Sequence, residues 1–276
     1  MNLFSPAEIT KNYADTGKVK SDRSVGKTLI LAVLAGFLIS FGAAVSNTAA
    51  FAIENVSAAR VISGLLFPFG LAMVILTGAE LFTGNCLIVI SVLNKTVTAV
   101  KMFRNWFFVY AGNFIGALLL AAGCAFFGQL DYSGGGLALH TVRIAAAKCS
   151  LPFLNALVLG IFCNMLVCLG VICSLSAKDT AGRILGAFIP VSFFVICGFE
   201  HSIANMYYVP AGIFALQIPK YMQIVTGAGL DISSLSISNF LIYNLFPVTL
   251  GNIIGGIIIG AAMWICYPDL LKGASE

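Results

Sequence analysis

An all-α membrane protein of six transmembrane helices, built as an inverted repeat with helices two and five broken, is predicted by three observations. The chain has 276 residues, of which 59% are hydrophobic and only 9% charged, against roughly 25% charged in an average soluble domain. Its apolar stretches are long enough to cross a bilayer, which takes roughly 20 residues each. Two of these stretches are overlong and interrupted by related polar strings, Gly78-Ala79-Glu80-Leu81-Phe82-Thr83-Gly84-Asn85 and Gly198-Phe199-Glu200-His201-Ser202-Ile203-Ala204-Asn205. Both read Gly-x-Glu with an asparagine five residues after the glutamate. A carboxylate in hydrocarbon-like sequence is costly, so such strings mark function or architecture.

Taken in order, residues 1–23 are polar, with no early apolar segment or small-residue cleavage site, and no removable signal peptide is expected. Ser5-Pro6-Ala7-Glu8 reads as a capping box with proline in the first turn. Ile9, Tyr13 and Val19 among Lys11, Lys18 and Lys20 then predict a short helix lying at the membrane surface. The first span lies between Lys27 and Glu54. Arg60 to Lys95 would be about 50 Å long as one straight helix, against a hydrocarbon core of about 30 Å. Pro68, Gly70, Gly78 and Gly84 around Glu80 favour a break, which is tolerated at that depth only where protein or a cavity surrounds it.

Asn105 to Phe127 is the third span, 128–140 a Gly-rich loop, and Leu151 to Leu175 the fourth. Arg183 to Lys220 repeats the overlong pattern, with Pro190 and Gly198 ahead of Glu200. A polar loop near 227–238 leads to the sixth span, Asn239 to Tyr267. The third span of each half carries one string, Gly112-Asn113-Phe114-Ile115-Gly116 and Gly251-Asn252-Ile253-Ile254-Gly255, assigned to close packing through small residues. The reading is a single channel domain with a first repeat over 24–127 and a second over 151–267. Three spans per repeat invert the second copy, and broken helices in such proteins meet near the bilayer midplane.

Cations set the orientation. Lys11, Lys18, Lys20, Arg23, Lys27, Lys95, Lys101, Arg104, Lys178, Arg183 and Lys272 fall on one side, and Arg60, Arg143, Lys148 and Lys220 on the other. The positive-inside rule puts both termini in the cytoplasm. The net charge of +4 thus reports topology, and no nucleic-acid partner is expected. Eight cysteines without a CxxC pair predict buried thiols rather than a disulfide frame or a metal site.

The two polar strings resemble the two signatures of the formate/nitrite transporter family, and the resemblance extends over essentially the whole chain. It implies an aquaporin-like protomer, five protomers in a ring, and an anion pathway through each. It also implies a loop bearing Thr83 facing His201 at the second break, with Lys148 and Asn164 near the pathway. Apolar constrictions are implied at Phe67, Leu71, Leu81, Phe82, Val167 and Phe194.

The chemistry of these residues agrees. A bare anion in a low-dielectric medium costs on the order of tens of kcal/mol, so a pathway needs donors at its midpoint or must neutralise the ion. His201 donates N–H when neutral and can yield a proton when charged. Thr83 supplies a hydroxyl opposite. Glu80 and Glu200 would repel an anion, and are expected to accept hydrogen bonds from backbone N–H groups freed by the breaks, with Asn85 and Asn205 completing the networks. Lys148 fits either an interfacial lysine or a positive vestibule.

The expected function is a passive, pH-sensitive channel for small monovalent weak-acid anions in a prokaryotic inner membrane: formate first, then nitrite or hydrosulfide. The alternative is a proton-coupled anion carrier. No catalytic residue, cofactor or metal is expected: two histidines, one of them in a span, supply no bis-histidine haem site, and no HExxH or GxSxG string occurs.

Overall fold

The computed structural model describes residues 3–268. Helix α1, Pro6–Asp22, opens on the capping box: Ser5 N–H donates to the Glu8 carboxylate at 2.7 Å and Glu8 N–H to Ser5 Oγ at 3.3 Å. The first span is α2, Val25–Ala50. The second is divided into α3, Val56–Leu66, and α4, Phe69–Thr77, then after the break α5, Phe82–Asn85, and α6, Val89–Leu93. The third span is α7, Ala99–Phe126. Helix α8, Tyr132–Cys149, leads to the fourth span α9, Phe153–Ser176. The fifth comprises α10, Thr180–Cys197, and after its break α11, Ser202–Ala215. Helices α12, Pro219–Gly227, and α13, Ile237–Asn239, precede α14, Phe246–Cys266, which completes the sixth. Among the described residues, six helical segments are long and apolar enough to cross a membrane.

Spans one and three pair, as do spans four and six. Glycine makes both contacts possible. A Cβ on Gly116 would collide with the Val33 carbonyl of α2, and one on Gly255 with the Ile161 carbonyl of α9. The halves meet through α10 against α3 and α4, and α11 against α7. Three spans separate α1 from α8, so the two short helices lie on opposite faces.

Two expectations are corrected. Residues 128–140 are not a free loop. After Gly134 and Gly135, both at positive φ, the chain is helical to Cys149, because Leu137, Ala138 and Val142 bury against Ala215, Tyr221 and Val225. Nor is the apolar stripe of α1 left open for lipid, apart from the exposed Val19. Its Ile9, Tyr13 and Ala14 are buried against the protein, and Gly17 has no room for a Cβ beside Ser91. The stripe that signals an amphipathic helix does not say whether lipid or protein covers it.

Candidate functional site

Each break begins at a glycine in the left-handed region, Gly78 at φ 68° and Gly198 at φ 71°, where a side chain is strained. The backbone then runs extended through Leu81 and His201 before the next helix starts. Such a segment, surrounded by packed helices, must have its polar groups satisfied by protein.

Many of them are, by the same means in both halves. Glu80 N–H donates to Leu31 O at 3.1 Å and Glu200 N–H to Leu159 O at 3.3 Å. Phe82 N–H donates to Asn113 Oδ1 at 2.9 Å, while Asn113 Nδ2 donates to Glu80 O at 2.8 Å and Ala32 O at 2.7 Å. Ser202 N–H donates to Asn252 Oδ1 at 2.9 Å, while Asn252 Nδ2 donates to Glu200 O at 3.0 Å and Gly160 O at 2.8 Å. The asparagines of the two GNxIG strings therefore stitch the breaks together, beyond the packing assigned to these strings.

The carboxylates do something else than expected. Glu80, fully buried, is ion-paired with Lys20 Nζ at 3.2 Å and with Arg23 Nη1, and accepts from Asn85 Nδ2 at 2.5 Å. Glu200 is ion-paired with Lys148 Nζ at 2.9 and 3.0 Å and accepts from Asn205 Nδ2 at 2.6 Å. Neither carboxylate takes a freed backbone N–H. A buried carboxylate is better compensated by a cation than by a neutral donor, and the end of the short helix supplies two in the first half and one in the second. Lys148 is accordingly neither a lipid-snorkelling residue nor an unpaired vestibule charge.

Asn85 Nδ2 also donates to Asn105 Oδ1 at 2.9 Å, and Asn105 Nδ2 to Lys20 O at 3.2 Å. The other half repeats this: Asn205 Nδ2 donates to Asn244 Oδ1 at 2.8 Å, and Asn244 Nδ2 to Lys148 O at 3.0 Å.

Between the breaks, Thr83 Oγ1 and His201 Nε2 are 2.9 Å apart, both residues buried. His201 Nδ1 accepts the Ala204 N–H at 3.1 Å and so caps α11. A nitrogen that accepts carries no proton, so the neutral ring holds its proton on Nε2 and donates it to Thr83. Asn164 Nδ2 donates to Thr83 O at 3.2 Å and to Asn252 O at 2.6 Å, holding the threonine from behind. Tyr13 Oη donates to Gly84 O at 2.8 Å and Trp106 Nε1 to Asn85 O at 2.9 Å.

The six apolar residues expected to constrict a pathway are all buried. The Phe194 ring stacks on His201 with centroids 5.8 Å apart and meets Phe67 edge-on at 5.6 Å. Leu71 and Leu81 line a cavity of about 210 Å³ that also touches Tyr13, Lys20, Arg23 and Glu80 on the α1 side. Phe82 packs against Trp106 and Tyr110. Val167 belongs to the same buried cluster.

Residues 7–266 match the family model described as formate/nitrite transporter. The chain belongs to the formate/nitrite transporter family. It is thus a multi-pass membrane transport protein and not an enzyme. Formate channel FocA of Escherichia coli (strain K12) is 35% identical over 96% of this chain and 95% of its own length. Formate channel BtFdhC of Bacillus thuringiensis is 32% identical over 97% of each. A solved pentameric formate channel with formate bound, 35% identical, superimposes with a TM-score of 0.78 over 89% of this chain and 98% of that one. A second structure, an FNT family ion channel, reaches 0.80 at 23% identity and supports the fold alone.

Within this formate/nitrite transporter family member, sequence reasoning brought Thr83 and His201 together but missed Lys20, Arg23, Asn105 and Asn244. Their signal was available in part. Asparagine recurs at matching places in the third span and the segment before α14, and a cation closes each short helix.

Proposed function

We propose that the chain is a passive, pH-sensitive channel for small monovalent weak-acid anions, formate first and nitrite or hydrosulfide next, working as a homopentamer in the inner membrane. The observation that carries this reading is the Thr83–His201 pair, which joins the two breaks at 2.9 Å beside the Phe194 and Phe67 rings. An anion entering between them exchanges its water for the Nε2–H and the threonine hydroxyl, while the apolar walls keep hydrated cations out. The similarity to formate channels supports formate as the first substrate, and the solved pentamer supports the ring of five. Both termini are cytoplasmic, as the cation distribution indicates. The domain consists of two inverted repeats, each beginning with its short helix, α1 or α8, rather than at residues 24 and 151.

The pH response follows from the cap. Protonating His201 puts a second N–H on Nδ1, opposite the Ala204 N–H, so two donors face each other and the start of α11 loses its acceptor. A proton-coupled carrier would repeat this disruption in every cycle, which favours the channel. Asparagine caps helices as well as any residue, so His201→Asn should preserve assembly and abolish the pH dependence of anion flux into proteoliposomes. An unchanged pH profile in that variant refutes the role of His201. Saturable flux accompanied by a lumenal pH change of equal stoichiometry would establish the carrier instead.

A further inference from the structure

Arg60, on α3 at the α8 face, has no role in the site described so far. Its guanidinium lies against the second break: a Cβ on Gly198 would meet Arg60 Nη1 at 3.2 Å, Nη2 at 3.5 Å and Cζ at 3.6 Å. Both terminal nitrogens are nearer than Cζ, so the Nη1/Nη2 edge of the guanidinium is turned toward the glycine, two residues before Glu200 and three before His201. Among the described residues Arg60 forms no ion pair and donates no hydrogen bond, while Lys148 is committed to Glu200 and sits 5.4 Å over the Tyr208 ring. Tyr208 lies in the field of both Glu200 and Arg60, which places the arginine at the same mouth. Arg60 is exposed, so the side chain remains accessible beside the break.

Counting only the groups beside the two breaks, each glutamate has one cation more than it needs. On the α1 side Lys20 and Arg23 face the single charge of Glu80, leaving one cation in excess. On the α8 side Lys148 cancels Glu200, and the excess cation is Arg60. A guanidinium presents paired N–H donors in a fixed fork that matches a planar carboxylate in two-point contact, which an ammonium does not.

We propose that Arg60 is the capture residue of the α8 mouth, a bidentate site that selects planar oxyanions such as formate and nitrite over single-atom anions such as hydrosulfide before they reach His201. This rests on the anion-channel reading above. Gly198 is then needed twice, for its positive φ and for the room its missing side chain leaves to the guanidinium.

Arg60→Gln removes charge and fork, and Arg60→Lys removes the fork alone. Both variants are first checked for elution as the wild-type oligomer, then measured in oriented bilayers with anion added from one face. Expected for Arg60→Gln at about 10 mM ionic strength is a roughly fivefold rise in the half-saturating formate concentration from the α8 side, shrinking at about 500 mM and absent from the α1 side. Arg60→Lys should restore hydrosulfide entry but not formate entry. Full restoration of both anions by lysine, or an effect equal from both sides, overturns the proposal. Saturation-transfer NMR of formate with the purified protein reads capture independently of transport. A weaker transfer in Arg60→Gln supports the site even if the protein proves not to be a channel, and equal transfer overturns it even if the protein conducts.

Discussion

The break after Gly78 and the break after Gly198 are held by the same set of groups: an asparagine from the span behind, a glutamate ion-paired to a short helix, and a second pair of linked amides. What differs is the residue placed at the centre and the way each short helix is attached. His201 caps the second break, and the equivalent extended residue of the first is Leu81, with Thr83 two residues further in. Helix α8 is anchored by an apolar cluster with α12 and the end of α11. Helix α1 leans more on polar ties, through Lys20, Arg23, the Tyr13 hydroxyl and Ser91 Oγ to Ala14 O at 2.8 Å. Common scaffolding thus carries a chemical asymmetry at the centre and a mechanical one at the two faces.

The largest effect tests the common part. Asn113→Ala and Asn252→Ala each strip one backbone N–H and two carbonyls of their partners in a buried break. At about 1–3 kcal/mol for each group left unsatisfied, either change should lower stability by about 3 kcal/mol or more, read as thermal unfolding in detergent. The two losses should agree within about 1 kcal/mol, since the bonds are matched one for one. Strongly unequal losses would show that the two breaks are not energetically equivalent.

The next effect separates the halves. Glu80→Gln leaves Lys20 and Arg23 without a counter-charge and removes the chief tie of α1. Proteolysis at the N-terminus should accelerate about tenfold, corresponding to about 1.4 kcal/mol in the opening equilibrium of α1. Glu200→Gln leaves Lys148 unpaired, but α8 remains buried against Tyr221 and Val225, so its protection should hardly change. Equal release of both helices would contradict the claim that they are attached by different means.

These contrasts show what a sequence can carry. Hydrophobic length and the interrupting glycines made the six spans and both breaks legible, because solvation by lipid constrains every residue of a span in the same way. The partners of Glu80 and Glu200 were not legible, because which group reaches a buried carboxylate depends on how helices distant in the chain pack. Lys20 is brought to Glu80 by α1 folding over the break, and nothing in the spacing of its neighbours states this. Asn113 was read as part of a packing motif since its glycine neighbours do pack closely, and the amide role appears only when the break is placed against it.

The smallest expected effect tests where the proposed pH response would originate. Outside the spans, the Lys101 ammonium 2.5 Å from Asp22 and the Lys220 ammonium 2.6 Å from Asp131 hold both carboxyls below their usual range, so they stay ionised through neutral pH. Their contribution is present above the ordinary carboxylate pKa and fades only as pH falls through the lowered value. His140, on α8, is half-buried, and burial together with the charge of Arg143 pulls it below the ordinary histidine value. Its neutral form is favoured in the fold, so protonation costs stability only on the acid side. His140→Gln should therefore leave the pH profile of transport near neutrality unchanged, where His201→Asn flattens it. Because these are the only two histidines in the chain, a profile that flattens in His140→Gln would move the pH sensor from the centre of the breaks to the α8 face.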